Sequence, residues 1–146
     1  MGMFDSININ ATGLTAQKTR IDIISKNMTN AETTRGTGGM PYRRQMVVFQ
    51  EKKSTPFEYY LSQKTNKFNG GGVKITDIVE DTTPFKLVYE PGHPDADENG
   101  YVKMPNVEMV KEMVDLIDAQ RAYEANITAM NATKTLLMKS MEIGRK

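Results

Sequence analysis

The chain has 146 residues, of which 38% are hydrophobic and 25% are charged, with a formal net charge of +1 and no cysteine. This length suits one ordinary domain, the near-neutral charge gives no reason to expect nucleic acid as a partner, and the lack of cysteine excludes disulfides and thiolate metal sites. No apolar run approaches about 18 residues and no basic start precedes an apolar stretch, so we expect neither a membrane-spanning segment nor a cleaved signal peptide.

The first predicted element is an amphipathic helix over residues 5–31, with Asp5 as its cap. Apolar side chains recur every seven residues at Ile7, Leu14, Ile21 and Met28, and the stripe is widened by Ala11, Ile24 and Ala31. Gly13 and many β-branched residues lower the helix propensity, so this helix requires a packing partner. We assign residues 1–34 to the N-terminal helix of a coiled-coil core.

A glycine-rich connector follows, and the middle of the chain is predicted to be β. Residues 33–41 contain three glycines but lack the Gly-Lys-Ser/Thr ending of a phosphate-binding loop. Alternating or β-rich stretches predict four strands. They cover residues 42–49, include Phe57, Tyr59 and Leu61, begin with Val73 and Ile75, and include Phe85, Leu87 and Tyr89. We assign residues 35–104 to the connector and a small β insert, which packs on the helices or on a neighbouring chain.

The stretch from Glu90 to Tyr101 contains the residues that most resemble a metal site. Asp95, Asp97, Asn99 and Gly100 match the first half of an EF-hand calcium loop, but the twelfth position is Asn106 instead of glutamate. His93 is the single histidine of the chain and has no second histidine at ligand spacing. We therefore predict a polar loop with an Asn-Gly turn, and no metal, cofactor or catalytic residue.

The last forty residues predict one long helix, with residues 105–146 as the C-terminal helix of the core. Asn106 is the expected N-cap, Gly144 the expected stop, and the helix would be roughly 55 Å long. Spacings of four and three alternate along a seam that is interrupted by two polar residues and consists of Met109, Met113, Leu116, Gln120, Tyr123, Ile127, Met130, Lys134, Leu137 and Met141. Such a seam predicts a partner helix. Val110, Val114 and Ile117 lie beside it and offer a second apolar face.

These elements predict an α+β fold in which the long N- and C-terminal helices pair as a coiled-coil-like hairpin around a small central β insert. One hairpin buries only part of its apolar surface, whereas an array of hairpins buries the rest. The predicted assembly interface consists of Ile7, Leu14, Ile21, Ile24, Met28, Val110, Met113, Leu116, Ile117, Tyr123, Ile127, Met130, Leu137 and Met141.

Several runs of the sequence resemble a known family. The N-terminal helix, from Leu14-Thr15-Ala16-Gln17 to Asn30-Ala31, is similar to that of bacterial flagellar axial proteins. Residues 39–49 (GMPYRRQMVVF), 83–105 (TPFKLVYEPGHPDADENGYVKMP) and 121–134 (RAYEANITAMNATK) resemble the C-type proximal-rod proteins of the flagellar basal body. The resemblance covers nearly the whole chain and is weakest over residues 51–67.

The resemblance implies a structural subunit that polymerises into the rod, the hollow drive shaft that transmits motor torque across the periplasm. It implies export by the flagellar type III apparatus without a cleaved signal peptide. The implied partners are further copies of the chain, other proximal and distal rod proteins, the MS ring with its adaptor, and the export apparatus.

Two other classes of function fit the sequence less well. An enzyme or metal-binding protein would use His93, Asp95, Asp97 and Glu98, but the chain offers no nucleophile with a base at a supporting spacing. A soluble helical adaptor or export chaperone fits the helices, but such a protein would not need the β insert.

Overall fold

A computed structural model describes residues 3–36, 38–52 and 71–144 of the chain. In chain order its elements are α1 (Met3–Thr29), β1 (Gln45–Glu51), β2 (Val73–Glu80), β3 (Lys86–Tyr89), β4 (Tyr101–Met104) and α2 (Met109–Ile143). The predicted α+β fold is confirmed, because the two long helices pack against each other and the chain between them forms a small antiparallel β insert.

The two helices form an antiparallel hairpin. Asn27 near the end of α1 bonds to Glu112 near the start of α2, with 3.0 Å between Nδ2 and Oε2. Toward the other end, a Cβ added at Gly13 would lie 3.3 Å from Asn126 Oδ1. Gly13 therefore has a packing role, because its missing side chain lets the helices approach closely, and this offsets its low helix propensity.

The side of α2 that is least exposed differs in part from the predicted seam. Buried and half-buried positions alternate at spacings of four and three along Glu112, Leu116, Ala119, Tyr123, Asn126, Met130, Thr133 and Leu137. Ile127 of the predicted seam is also half-buried. Five other positions of the predicted seam do not face α1, because their side chains are exposed: Met109, Met113, Gln120, Lys134 and Met141. At four places the residue that faces α1 lies one position before the predicted seam residue, and these residues are Glu112, Ala119, Asn126 and Thr133. They are small or form hydrogen bonds, so a search for large apolar side chains does not find them.

The helix ends also differ from the predictions. Asp5 lies in the first turn of α1 instead of capping it. Asn106 is not the N-cap of α2, since that position is Glu108, whose side chain forms no capping bond. The Asn106 side chain instead accepts a hydrogen bond from the Arg44 backbone N–H at 2.9 Å and donates to Thr83 Oγ1 at 2.8 Å. Gly144 follows the last residue of α2, as predicted.

The β insert consists of two separate antiparallel pairs within the described residues. β1 pairs with β2 from Gln45↔Glu80 to Glu51↔Val73, with an irregularity after Val48, and β3 pairs with β4 from Lys86↔Met104 to Tyr89↔Tyr101. The first strand begins at Gln45 and not at residue 42 as predicted. β4 was not predicted, because its four residues follow the Asn-Gly turn and have the appearance of a short linker to the C-terminal helix. The predicted strand at Phe57, Tyr59 and Leu61 lies outside the described residues.

The hydrophobic core is small. Among the described residues, the buried apolar side chains of the helices are Ala16, Ile24 and Ala119, and the β3–β4 pair contributes Val102. β1 and β2 pack on α1, and the Val73 N–H donates to Thr12 Oγ1 at 3.2 Å. With so few buried apolar groups, polar contacts carry much of the connection between the helices and the β insert.

Candidate assembly site

A buried polar cluster joins the helical hairpin to the β insert. We call Asn27, Tyr42, Arg44, Asn106 and Glu112 the junction cluster. Glu112 is fully buried and Asn27 is 1% exposed, which is unusual for residues of these types. The five residues come from α1, the segment before β1, the segment before α2, and α2 itself. Four parts of the chain therefore meet at this point.

Asn27 uses its whole side chain within the junction cluster. Its amide nitrogen donates to Glu112 Oε2 at 3.0 Å and to the Gln45 carbonyl at 2.8 Å. Its amide oxygen accepts from the Tyr42 hydroxyl at 2.8 Å and from the Gln45 N–H at 2.9 Å. Every donor and acceptor of the amide is satisfied, so the side chain has one orientation that fixes α1 against the start of β1.

Arg44 is the cation of the junction cluster. Its Nε lies 2.6 Å from Glu112 Oε1, and its outer nitrogens lie 3.4 Å from Asp115 and 3.9 Å from Asp81. Arg20 adds a second cation 3.5 Å from Asp115. Buried carboxylates require such partners, because removing an unpaired charge from water costs several kcal/mol. The arginine thus compensates the charge that Glu112 places inside the fold.

The titration behaviour of nearby groups follows from these contacts. Hydrogen bonds from the Thr83 backbone and hydroxyl lower the pKa of Asp81, with a smaller contribution from Arg44. Burial raises the pKa of Tyr42, and the carboxylates of Glu112 and Glu80 raise it further. Both shifts leave each group in its usual charge state near neutral pH. Neither shift therefore prepares Tyr42 or Asp81 for proton transfer near pH 7.

In the loop that resembled an EF-hand, Asp95 and Asp97 accept hydrogen bonds from the protein, whereas Glu98 is exposed. Asp95 accepts hydrogen bonds from Thr34 at 2.8 Å and from Arg35, and the Thr34 bond is the main reason that the pKa of Asp95 is lowered. Asp97 Oδ1 accepts from the N–H groups of Asn99 and Tyr101, each at 3.0 Å. Within the described residues, no group of three His, Asp or Glu side chains is placed to hold a metal ion. The loop fastens the glycine-rich connector to the β3–β4 pair.

The residues predicted for the assembly interface fall into two sets. Ile24 is buried, and the half-buried positions are Ile7, Leu14, Ile21 and Met28 on α1 and Leu116, Tyr123, Ile127, Met130 and Leu137 on α2. The exposed positions are Val110, Met113, Ile117 and Met141. The first set is largely used within the hairpin, whereas the second is available to a neighbour.

Two exposed apolar patches lie at opposite ends of α2. The N-terminal patch consists of Met109, Val110, Met113, Val114 and Ile117, with Val110 71% exposed. The C-terminal patch consists of Leu136, Met138, Met141 and Ile143, with Ile143 77% exposed. Neither helix described by the structure is long and apolar enough to cross a membrane. The N-terminal patch forms one contiguous apolar stripe, and such a surface is typical of a contact with another protein.

The sequence predicted most of the N-terminal patch but not the junction cluster. The only available signal was Asn27, a polar residue that lies one position before Met28 of the predicted apolar stripe. Its partner Glu112 lies in the first turn of the C-terminal helix, where an acidic residue is common, so it gave no sign of a buried contact. Nothing in the periodicity connects these two residues with Arg44.

Comparisons with known proteins converge on one group. The family described as "Flagellar basal body rod FlgEFG protein C-terminal" matches residues 98–143. Three relatives are each named flagellar basal-body rod protein FlgC. The Bacillus subtilis protein is 49% identical over 99% of this chain and 100% of the relative. The Borreliella burgdorferi protein is 44% identical over 98% of both chains, and the Salmonella typhimurium protein is 41% identical over 99% and 100%.

Proposed function

The chain belongs to the FlgC family of flagellar basal-body rod proteins, and from this premise we propose that it polymerises through its terminal helices into a hollow shaft that transmits motor torque. Membership of this family makes it a structural subunit of the basal-body rod. Polymerisation and torque transmission go beyond family membership, and their support comes from the contacts of the chain.

The N-terminal patch of α2 is the observation that carries the proposal. Its five apolar side chains are 38–71% exposed although the helix behind them is packed on α1. Burying one such side chain contributes on the order of 1.5–3 kcal/mol. A neighbouring helix that covers the patch would thus gain a substantial part of the free energy needed for a stable contact. An array of hairpins provides such a neighbour for every subunit.

Torque transmission requires that each subunit moves as one body. The junction cluster supports this, because Asn27, Arg44 and Glu112 hold both helices to the β insert through buried and partly buried hydrogen bonds. Buried polar groups of this kind have only one arrangement that satisfies every donor and acceptor. We propose that the cluster prevents the helices from rotating relative to the β insert under load.

The partners and route follow from the same proposal. Further copies of the chain and other proximal and distal rod proteins are the lateral and axial neighbours, and the MS ring with its adaptor is the base. The flagellar type III apparatus exports the chain without a cleaved signal peptide, and its destination is the periplasmic part of the basal body. The names of the relatives, which are basal-body rod proteins, support the basal body as the destination.

The test uses a position that separates assembly from folding. Leu116→Asp or Ile127→Asp would block assembly, but both positions are half-buried in the hairpin and would also disturb the fold. Val114 is 55% exposed, so Val114→Asp leaves the monomer intact while placing a charge in the proposed contact. Ala125→Asp is the matched control, because it also replaces an exposed apolar residue of α2 but lies outside both patches.

We expect cells with Val114→Asp to express the subunit but lack completed basal bodies, whereas Ala125→Asp cells swim normally. Normal motility of the Val114→Asp cells would remove the N-terminal patch from the proposal. Recovery of the unaltered chain only in a soluble complex with other exported proteins would favour the adaptor or chaperone instead.

A further inference from the structure

We propose that the β1–β2 pair is a strap that is fastened to α1 at both of its ends and holds this helix in its helical state. The first fastening is the bond between Asn27 and Gln45 in the junction cluster. We call Thr12, Gly72 and Val73 the second fastening. The inference concerns the subunit itself, so it goes beyond the proposed assembly and does not depend on it.

The first step is that the strap and the helix match in length between the two fastenings. At one end, the backbone N–H and carbonyl of Gln45 both bond to Asn27. At the other end, the Val73 N–H donates to Thr12 Oγ1 at 3.2 Å, and Val73 pairs with Glu51. Thr12 and Asn27 are 15 residues apart, about 22 Å of helix, and the strand from Gln45 to Glu51 spans about 20 Å. The strap therefore lies along α1 with one fastening at each end.

The second step is that the middle of the strap is not closely packed on the helix. Ile24 on α1 and Val47 and Phe49 on β1 line a groove of about 340 Å³ between the helix and the strap. Phe49 is 38% exposed although it lines this groove, and Ile78, which is paired with Val47, is 42% exposed. Because the middle leaves much of its apolar surface uncovered, the attachment of the strap depends on its two ends.

The third step is that the second fastening is a close approach that requires glycine. Gly72 has φ +77°, which residues with a side chain rarely adopt, and a Cβ added there would collide with Thr12 Oγ1. The Thr12 hydroxyl donates to the Ile9 carbonyl at 2.7 Å, which orients its oxygen toward the strap. The Lys52 N–H donates to the Gly72 carbonyl at 2.9 Å, so both strands are tied together at this point.

The fourth step is that α1 is held from two sides at this level. Gly13, which follows Thr12, lies against Asn126 of α2. The helix therefore passes between α2 and the strap. Gly13 and the β-branched residues give α1 a low helix propensity, and packing provides most helical stability in proteins. Release of the strap removes one of the two surfaces that pack on α1, so the helix should open more often near Thr12.

Thr12→Val tests the second fastening, because valine keeps the shape of threonine and removes the oxygen that accepts from Val73. Thr15→Val is the matched control, since the exposed Thr15 hydroxyl bonds to the Ala11 carbonyl within the same helix. Native-state hydrogen exchange of the purified full-length proteins is followed by NMR. We expect the Val73 amide and the α1 amides around Thr12 to exchange about fivefold faster in Thr12→Val than in Thr15→Val, the factor expected for the loss of one hydrogen bond.

Gly72→Ala disturbs the same contact from the side of the strap, and Gly39→Ala is its control. Gly39 has φ +74°, but a Cβ added there would have no atom within 4 Å. Whether the strap moves away or the Thr12 hydroxyl rotates, Gly72→Ala breaks the bond to Val73. We expect faster exchange of α1 near Thr12 in Gly72→Ala than in Gly39→Ala. This excess should shrink in a Thr12→Ala background, which lacks the oxygen that collides.

Equal exchange of α1 in Thr12→Val and Thr15→Val would overturn the inference, and this comparison still decides if Gly72→Ala does not fold. An excess in Gly72→Ala that is the same with and without the Thr12 oxygen would overturn it too. So would a lack of protection of α1 in the unaltered protein, because the strap would then hold no helix. These results decide on the strap alone, whereas the Val114→Asp cells decide on the proposed function.

Discussion

Glu112→Gln tests the junction cluster, because glutamine keeps the shape of the side chain and removes one acceptor. Glu112 uses both oxygens, one for Arg44 at 2.6 Å and one for Asn27 at 3.0 Å. Glutamine offers a single oxygen, so its amide nitrogen must face the guanidinium or the Asn27 amide, both of which are donors. The variant therefore loses a charge-assisted hydrogen bond and leaves a buried donor unpaired.

The magnitude follows from these two effects. A hydrogen bond to a charged group contributes about 1.5–3 kcal/mol, and an unpaired buried donor costs about 1–3 kcal/mol. Arg44 retains Asp115 at 3.4 Å and Asp81 at 3.9 Å, which offsets part of the loss. We expect the free energy of unfolding to fall by about 3 kcal/mol. With a urea dependence of about 2 kcal/mol per M, the unfolding midpoint should fall by about 1.5 M.

The assay is urea unfolding of the purified protein followed by circular dichroism at helical wavelengths. Glu124→Gln is the matched control, since Glu124 is an exposed glutamate on the same helix. We expect the control to lie within about 0.5 kcal/mol of the unaltered protein. If Glu112→Gln unfolds at the same urea concentration as the control, the junction cluster does not hold the helices to the β insert.

Three further predictions concern the loop between β3 and β4. Gly100→Ala should destabilise the β3–β4 pair by about 1–3 kcal/mol. Gly100 has φ +79°, and a Cβ added there would lie 3.0 Å from a ring carbon of Tyr89. Gly92→Ala is the control and should change the unfolding midpoint little, because a Cβ added at Gly92 would have no atom within 4 Å. Because the pKa of Asp95 is lowered, its hydrogen bonds stabilise the loop fully above the ordinary aspartate pKa, and this stabilisation is lost as pH falls through the lowered pKa. NMR of the Arg35 side chain should show this transition in acid. The same transition in Asp95→Asn would contradict the assignment to Asp95. His93→Ala should leave calorimetric titrations with calcium or zinc unchanged, and stoichiometric binding that Asp95→Ala abolishes would overturn the structural interpretation of the loop.

The sequence predicted the hairpin because a seven-residue apolar repeat appears in both terminal segments. It placed only part of the α2 seam correctly. Four predicted seam residues face α1, namely Leu116, Tyr123, Met130 and Leu137. At two other places the residue that faces α1 is Ala119 or Thr133, and the predicted seam residues Gln120 and Lys134 are exposed. Apolar periodicity identifies a helix face to within about one residue, whereas the close approach of two helices is decided by small residues.

The junction cluster was not predictable from local patterns. Arg44 and Glu112 are 68 residues apart, and each has an ordinary local environment in the sequence. The prediction of Asn106 as an N-cap is wrong for a similar reason, because its side chain is used by Arg44 and Thr83 instead of by the helix. Long-range hydrogen bonds decide the use of these polar groups, and a single sequence records only local preference.

Cryo-electron microscopy of isolated basal bodies, with this chain located in the rod density, would show whether the helical hairpin builds the rod through the N-terminal patch. We predict that α1 and α2 of each copy form part of the rod wall and that a neighbouring subunit covers Val110 and Val114. A map in which this chain lies outside the rod, or in which these two valines face open solvent in the assembled rod, would contradict this prediction.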